Sequence, residues 1–335
     1  DTLDDLILEL SLAASLPIGV TGKNYILATS AANSFSIHAK TMKPPELKGL
    51  SNGIGPLMDL LWNDIDHPVA GKAAQSLRTL MPSRSCMMEF MDLGGLQVMS
   101  KIFQKLLTGK KVDLVTQSTH RTIVEHCSAC FREIGRYYPW KVVRVGILRY
   151  VVVILRFGDV PLKTIASGIC AMVSKELEIC KLMFTNGCVK PLLNVALDDT
   201  TNEACVLAGL GSIVQMSRVP EIAARVFMQG ALELLEKCLH QTNCLAQDSI
   251  REKALYGLHW MSRSEEIQSK IPTEAVLSGM ARELRSGTIP AQLTVVQMML
   301  KLHNKYPANE ERFVTENIDE IIRLLKEGPW SKKNL

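Results

Sequence analysis

The chain has 335 residues, with 38 Lys and Arg against 34 Asp and Glu, a formal net charge of +4. That excess is too small to mark a nucleic-acid binder. Hydrophobic residues make up 47% and aromatics only 5%, the balance expected of stacked helices that bury aliphatic stripes on two sides. The most apolar run, Val142 to Phe157, carries Arg144, Arg149 and Arg156 and is too short and too charged to span a bilayer.

Nine cysteines, odd in number and irregularly spaced, read as reduced thiols rather than a disulfide framework. The expectation is an intracellular protein, cytoplasmic in the first instance. Because the chain begins at Asp1 without a methionine, an organellar location after removal of a transit peptide is the alternative.

Taken in order, residues 1–45 do not follow the pattern of the rest. Leu3, Ile7 and Leu10 predict an amphipathic helix that Pro17-Ile18-Gly19 breaks. A second, Ala- and Ser-rich helical patch runs from Ile26 to Ile37, and Lys40 to Lys48, with Pro44-Pro45, is the expected joint. The extension is expected to cap the first unit, since an end repeat otherwise exposes its stacking face.

Beyond it a unit recurs. Val173-Ser174-Lys175-Glu176-Leu177-Glu178-Ile179 returns as Met216-Ser217-Arg218-Val219-Pro220-Glu221-Ile222 and as Met261-Ser262-Arg263-Ser264-Glu265-Glu266-Ile267, the serines 43 and 45 residues apart. Turns that open an apolar helix stand at Gly53, Gly95, Gly146, Gly187, Gly230, Ala275 and Asn317, at intervals of 42, 51, 41, 43, 45 and 42. Glycine suits these points because the reversal needs a positive φ or a close backbone approach. The long interval places an insertion between Leu106 and Tyr138. Each unit continues into a second helix: Val69 to Leu80, Ser118 to Ile134, Pro161 to Val173, Asn202 to Met216, Ser249 to Met261 and Pro290 to His303. The segment after each motif serine predicts a short third helix, with Glu178, Glu221 and Glu266 near its positive end. No stretch has the strand period. Repetition near 44 residues means a helical repeat array over residues 46–327, one elongated domain, followed by a tail at 328–335.

A turn glycine, an apolar helix, an alanine-rich helix and a short third helix, as in Asn186-Gly187-Cys188-Val189-Lys190-Pro191-Leu192-Leu193 and its continuation, resemble the armadillo-repeat family in its broad armadillo/HEAT sense. The resemblance implies an all-α, right-handed superhelical solenoid of about seven repeats, whose longest helices line a concave groove that binds extended peptides. Nuclear-import adaptors of that family carry a Trp and an Asn at fixed points of each groove helix. The corresponding stretches here, Gln75 to Thr79, Ala129 to Glu133, Ser167 to Ala171 and His259 to Ser262, hold one Trp and no Asn.

Candidate chemistry is sparse. Cys127 and Cys130, beside His126, lack the second ligand pair of a zinc site and the preceding strand of a thioredoxin site. The remaining reading is small apolar residues on a packing face. No Gly-x-Ser-x-Gly elbow occurs, and Gly53-Ile54-Gly55 has neither the strand nor the lysine of a phosphate loop. The chain is therefore expected not to be an enzyme and to need no metal or cofactor.

Charge is more informative. Residues 101–163 carry twelve basic groups and four acidic ones, so that segment is +8 and the remainder −4. The insertion falls inside it and is expected to carry Tyr137-Tyr138-Pro139-Trp140. Arginine beside aromatics is the composition of protein-binding hot spots, and a basic field draws acidic peptides, phosphates or an anionic membrane surface. The candidate partner-binding residues are Arg132, Arg136, Tyr137, Tyr138, Trp140, Lys141 and Arg144, joined by Trp260, the one Trp of the groove stretches, and Trp330 in the tail. The function expected is a non-catalytic protein-binding scaffold or adaptor, a subunit of a larger assembly with acidic or extended partner segments. Two alternatives stand beside it: a transport adaptor carrying peptide cargo, and a solenoid enzyme or cofactor lyase using Cys127, Cys130 or His126.

Overall fold

The computed structural model describes residues 3–15, 22–43, 45–63, 65–108, 118–240 and 247–305. Residues 306–335, with the repeat expected from Asn317 and the tail with Trp330, lie outside them. Every regular element among the described residues is helical, as the sequence predicts. They fall into two compact units, residues 1–173 and 174–335.

Unit 1–173 opens with α1 (Leu3–Ser15) and α2 (Gly22–Thr41), followed by a 3₁₀ segment (Glu46–Gly53) and α3 (Ile54–Asn63). Two triplets follow: α4 (Pro68–Leu80), α5 (Arg84–Asp92) and α6 (Gly95–Leu107), then α7 (Ser118–Tyr137), α8 (Pro139–Arg144) and α9 (Ile147–Phe157). The unit ends with α10 (Val160–Val173).

The long helices form one layer, α2 on α4, α4 on α7 and α7 on α10, while α3, α6 and α9 form a second. Helix α1 lies against α2 and α3 at the end of this stack. Buried Ser36, Ser76, Ser128 and Ser167 mark where long helices approach each other closely. The Ser76 hydroxyl donates across to the Ala32 carbonyl at 3.0 Å, tying α4 to α2. Between the layers Phe103 packs at 5.5 Å from Phe131 and edge-on to Tyr150 at 5.9 Å. Such aromatic pairs add roughly 1 kcal/mol each beyond the area they bury.

Unit 174–335 repeats the plan: α11 (Leu177–Thr185), α12 (Val189–Leu197) and α13 (Glu203–Ser217), then α14 (Pro220–Val226), a π-turn (Phe227–Ala231), α15 (Leu232–Leu239) and α16 (Gln247–Met261). It continues through α17 (Glu265–Gln268), α18 (Glu274–Ser286) and α19 (Ile289–Lys305). Here the long layer is α13 on α16 and α16 on α19, and the second layer is α12, α15 and α18.

The motif serines have a structural reason. Ser217 donates to the Ile213 carbonyl at 2.8 Å and Ser262 to the His259 carbonyl at 2.7 Å, each buried where a long helix ends. Cys180 and Gln268 then reach back to the carbonyls of Ser174 and Ser262 at 3.1 and 2.8 Å, fixing the turn into the short helix.

Turn glycines split into two physical classes. Gly94, Gly146, Gly187 and Gly230 have positive φ, between 73° and 104°. Gly53 and Gly95 are required by close approach instead: a Cβ would stand 2.6 Å from the Phe35 ring and 2.2 Å from the Phe90 ring. No helix among the described residues is long and apolar enough to cross a membrane.

Candidate partner-binding surface

Helix α7 carries Arg132 and Arg136 on its last turns and runs out at Tyr137. Tyr138 takes non-helical backbone angles, and Pro139, whose ring supplies the φ of a first turn and whose missing N–H costs nothing there, restarts the chain as α8. The aromatic group therefore occupies the junction between the long and the short helix of a repeat. It is not carried on an inserted loop, because the proline starts a new helix directly behind α7; residues 109–117 lie outside the described residues.

Tyr137 and Trp140 are exposed, by 52% and 36%. Arg84, from the preceding junction between α4 and α5, lies over the Tyr137 ring at 5.9 Å and donates to the Tyr138 hydroxyl at 3.4 Å. That hydrogen bond, together with the adjacent phenol charge, holds the guanidinium above its ordinary pKa. Lys141 reaches back over the Tyr138 ring at 5.5 Å.

The basic groups of residues 101–163 sort into two kinds. Arg121 is spent internally, bridging Asp159 at 2.7 Å and Glu125 at 3.0 Å, and those bonds raise its pKa. Arg132 and Arg136 both lie near Glu133, at 3.9 and 3.5 Å. The Arg132 stem also crosses Gly168 of α10, where a Cβ would meet it at 2.9 Å. Lys101, Lys141 and Arg144 form no ion pair with a described residue, and all three line one cleft of about 530 Å³ between the start of α6 and the turn after α8. Its remaining walls are Met91, Leu96, Gln97, Ser100 and Val145, none of them acidic. Ser100 ties the two sides, donating to the Val145 carbonyl at 2.7 Å. The cleft thus combines three cations with the apolar walls of Met91, Leu96 and Val145.

The sequence-predicted set is thus not brought together as one site. Lys141 and Arg144 share the cleft; Tyr137 and Tyr138 stand beside it with Arg84; Arg132 and Arg136 are partly neutralised on α7. Trp260 belongs to the other unit, with Arg263 at 4.0 Å and Arg218 at 5.4 Å from its ring. Lys101 and Arg84 were not singled out from the sequence, because nothing in their local pattern distinguishes them from solvating charges.

The alternative catalytic group does not gather either. Cys127 and Cys130 are wholly buried on α7, and burial pushes the Cys127 thiol far up and the Cys130 thiol up to about 12. A neutral thiol is a poor nucleophile and a poor metal ligand. His126 meets Arg78 at 3.3 Å. Its pKa is lowered to about 4 by burial, then by the charges of Arg78, Lys40, Lys72 and Arg121. Among the described residues no group of three His, Cys, Asp or Glu side chains could hold a metal ion.

No family model matches this sequence, and no curated protein matches it. Solved structures do. A designed armadillo repeat protein is 18% identical, with a TM-score of 0.62 over 78% of this chain and 100% of its own. A computationally designed armadillo repeat protein for modular peptide recognition is 18% identical, with a TM-score of 0.62 over 77% of this chain and 99% of its own. A third, a designed armadillo repeat protein in complex with the peptide (KR)4, is 16% identical, with a TM-score of 0.61 over 78% of this chain and 100% of its own. At these identities the likeness establishes the fold, an armadillo-like repeat solenoid.

Proposed function

We propose that this chain is a non-catalytic scaffold or adaptor within a larger intracellular assembly, and that unit 1–173 holds an extended, acidic segment of a protein partner. The observation that carries the reading is the cleft in which Lys101, Lys141 and Arg144 converge with no carboxylate among its described lining residues. Tyr137, Tyr138 and Trp140 supply adjacent flat, exposed area of the kind that anchors partners, and Arg132 and Arg136 extend the field along α7. Within this reading residues 1–45 cap the array, residues 46–327 form it, and the tail at 328–335 offers Trp330 as a further contact. Peptide recognition is the stated purpose of one neighbouring design. The (KR)4 peptide held by another is basic, whereas the cations here favour cargo of the opposite sign, which sets this reading apart from a carrier of basic signals.

The test is fluorescence anisotropy with a fluorescein-labelled Glu-rich peptide at low and at physiological salt. Lys141→Glu with Arg144→Glu should weaken binding by at least about tenfold, since reversing both charges replaces attraction with repulsion. Helicity should be unchanged, because both side chains are exposed. Binding that survives the double reversal rules out the cleft as the receptor.

A further inference from the structure

The motif that sets the repeat has a second consequence in unit 174–335. The residue after the motif serine is basic in every copy: Lys175 before α11, Arg218 before α14 and Arg263 before α17. All three are exposed just before a short helix, and along this edge α11 packs on α14 and α14 on α16. Arg218 and Arg263 lie on the Trp260 ring, at 5.4 and 4.0 Å, and with Trp260 they line a cleft of about 300 Å³.

Two like charges on one ring are held together at an electrostatic cost unless an anion lies between them. Elsewhere in this unit that anion is built in. Glu283 receives both Arg251 and Arg282. At the Trp260 cleft no carboxylate is among the described lining residues; Arg218 donates to the neutral amide of Gln215, at 2.7 Å. The positive field extends inward, since the Lys301 ammonium has its pKa lowered first by burial and then by the Arg263 charge.

We infer that this edge of unit 174–335 binds an extended acidic polypeptide, with carboxylates seated against Arg218 and Arg263 over the Trp260 ring and continuing to Lys175. Repeat spacing selects the peptide's form. Neighbouring packed helices lie about 8–10 Å apart, and a polyproline II segment advances about 9 Å per turn of three residues. A carboxylate at every third position therefore meets one cation per repeat. The inference goes beyond the reading of unit 1–173, since it rests on different residues and needs nothing from the Lys101 cleft.

The probe is a fluorescein-labelled peptide of repeating Glu-Pro-Pro, titrated into the Lys101→Glu, Lys141→Glu, Arg144→Glu chain, so that the other cleft is silent. Trp62, Trp140 and Trp330 are replaced by Phe to leave Trp260 as the reporter. Binding with a change in Trp260 emission is expected, and Arg218→Gln with Arg263→Gln should weaken it by roughly tenfold or more, as for paired charge-assisted contacts. The emission reading needs no change at the arginines and so stands even if the double glutamine chain folds poorly. Unchanged emission on saturation, or equal affinity in the glutamine chain, overturns the assignment. So does tighter binding there of single-stranded oligodeoxythymidine, which would make the ladder a phosphate-backbone site.

Discussion

Arg218, at the end of one long helix, stacks 5.4 Å from the ring of Trp260, near the end of the next. In the other unit Arg84 stands in the same relation to Tyr137, at 5.9 Å across successive long-to-short helix junctions. In both units a cation of one repeat thus lies on an aromatic ring of its successor, so neighbouring repeats are clamped at the edge as well as through their core. Replacing Trp260 by Leu removes the Arg218 stack and that of Arg263 from its own repeat, and should cost about 1–2 kcal/mol. Urea unfolding followed by circular dichroism measures it, and a midpoint equal to that of the parent chain contradicts the clamp.

Gly187 isolates backbone conformation from packing. Its φ is +73°, and a Cβ there would meet nothing within 4 Å. Gly187→Ala should therefore destabilise unit 174–335 by about 1 kcal/mol through left-handed strain alone. Gly187→Asn should cost less, because Asn tolerates that region. Hydrogen exchange of α11 and α12 reads the local effect; equal protection in the alanine and parent chains contradicts it.

The repeat was legible in the sequence because its punctuation is local. The second helix predicted from Ser118 to Ile134 is α7, Ser118–Tyr137, and that from Asn202 to Met216 is α13, with Asn202 as its cap. Three of the predicted turn positions hold positive-φ glycines, at 146, 187 and 230, and a fourth such glycine, Gly94, stands one residue before the predicted position. For one turn the sequence pointed to Gly95, whose reason is the Phe90 ring and not φ. The surface was less legible. Whether a lysine lines a cleft or only solvates a helix depends on what the next repeat places opposite it, and spacing within one repeat does not contain that. Lys175, Arg218 and Arg263 do hold one motif position in the sequence, but that regularity by itself marks the repeat and not a surface.

Acid should weaken the fold. His126 and His259 each have their pKa lowered from 6.5 to about 4, chiefly by burial, with Arg78 next for His126 and Lys301 next for His259. The unfolded chain therefore binds more protons than the folded one below pH 6.5, and stability falls as pH drops from there towards 4. His126→Gln should flatten that fall by about 1 kcal/mol, a figure reduced for partial exposure. Urea midpoints at pH 7 and pH 5 measure it, and parallel losses in both chains contradict the assignment.

Cys127 and Cys130 should resist alkylation. Both thiols are buried and held neutral, so iodoacetamide at pH 8 should modify them only as fast as α7 opens. Rapid labelling of the native chain at either position, read by peptide mass mapping, would show a reactive thiol and reopen the catalytic alternative.

The most direct measurement is carbodiimide cross-linking of carboxylates to amines, followed by mass spectrometry, of the complex purified with this chain from its own cells. The account predicts links from acidic partner segments to Lys101 and Lys141, and loss of those partners from the Lys141→Glu, Arg144→Glu chain while its circular dichroism stays that of the parent. The same partners retained in the same yield by the charge-reversed chain would contradict it.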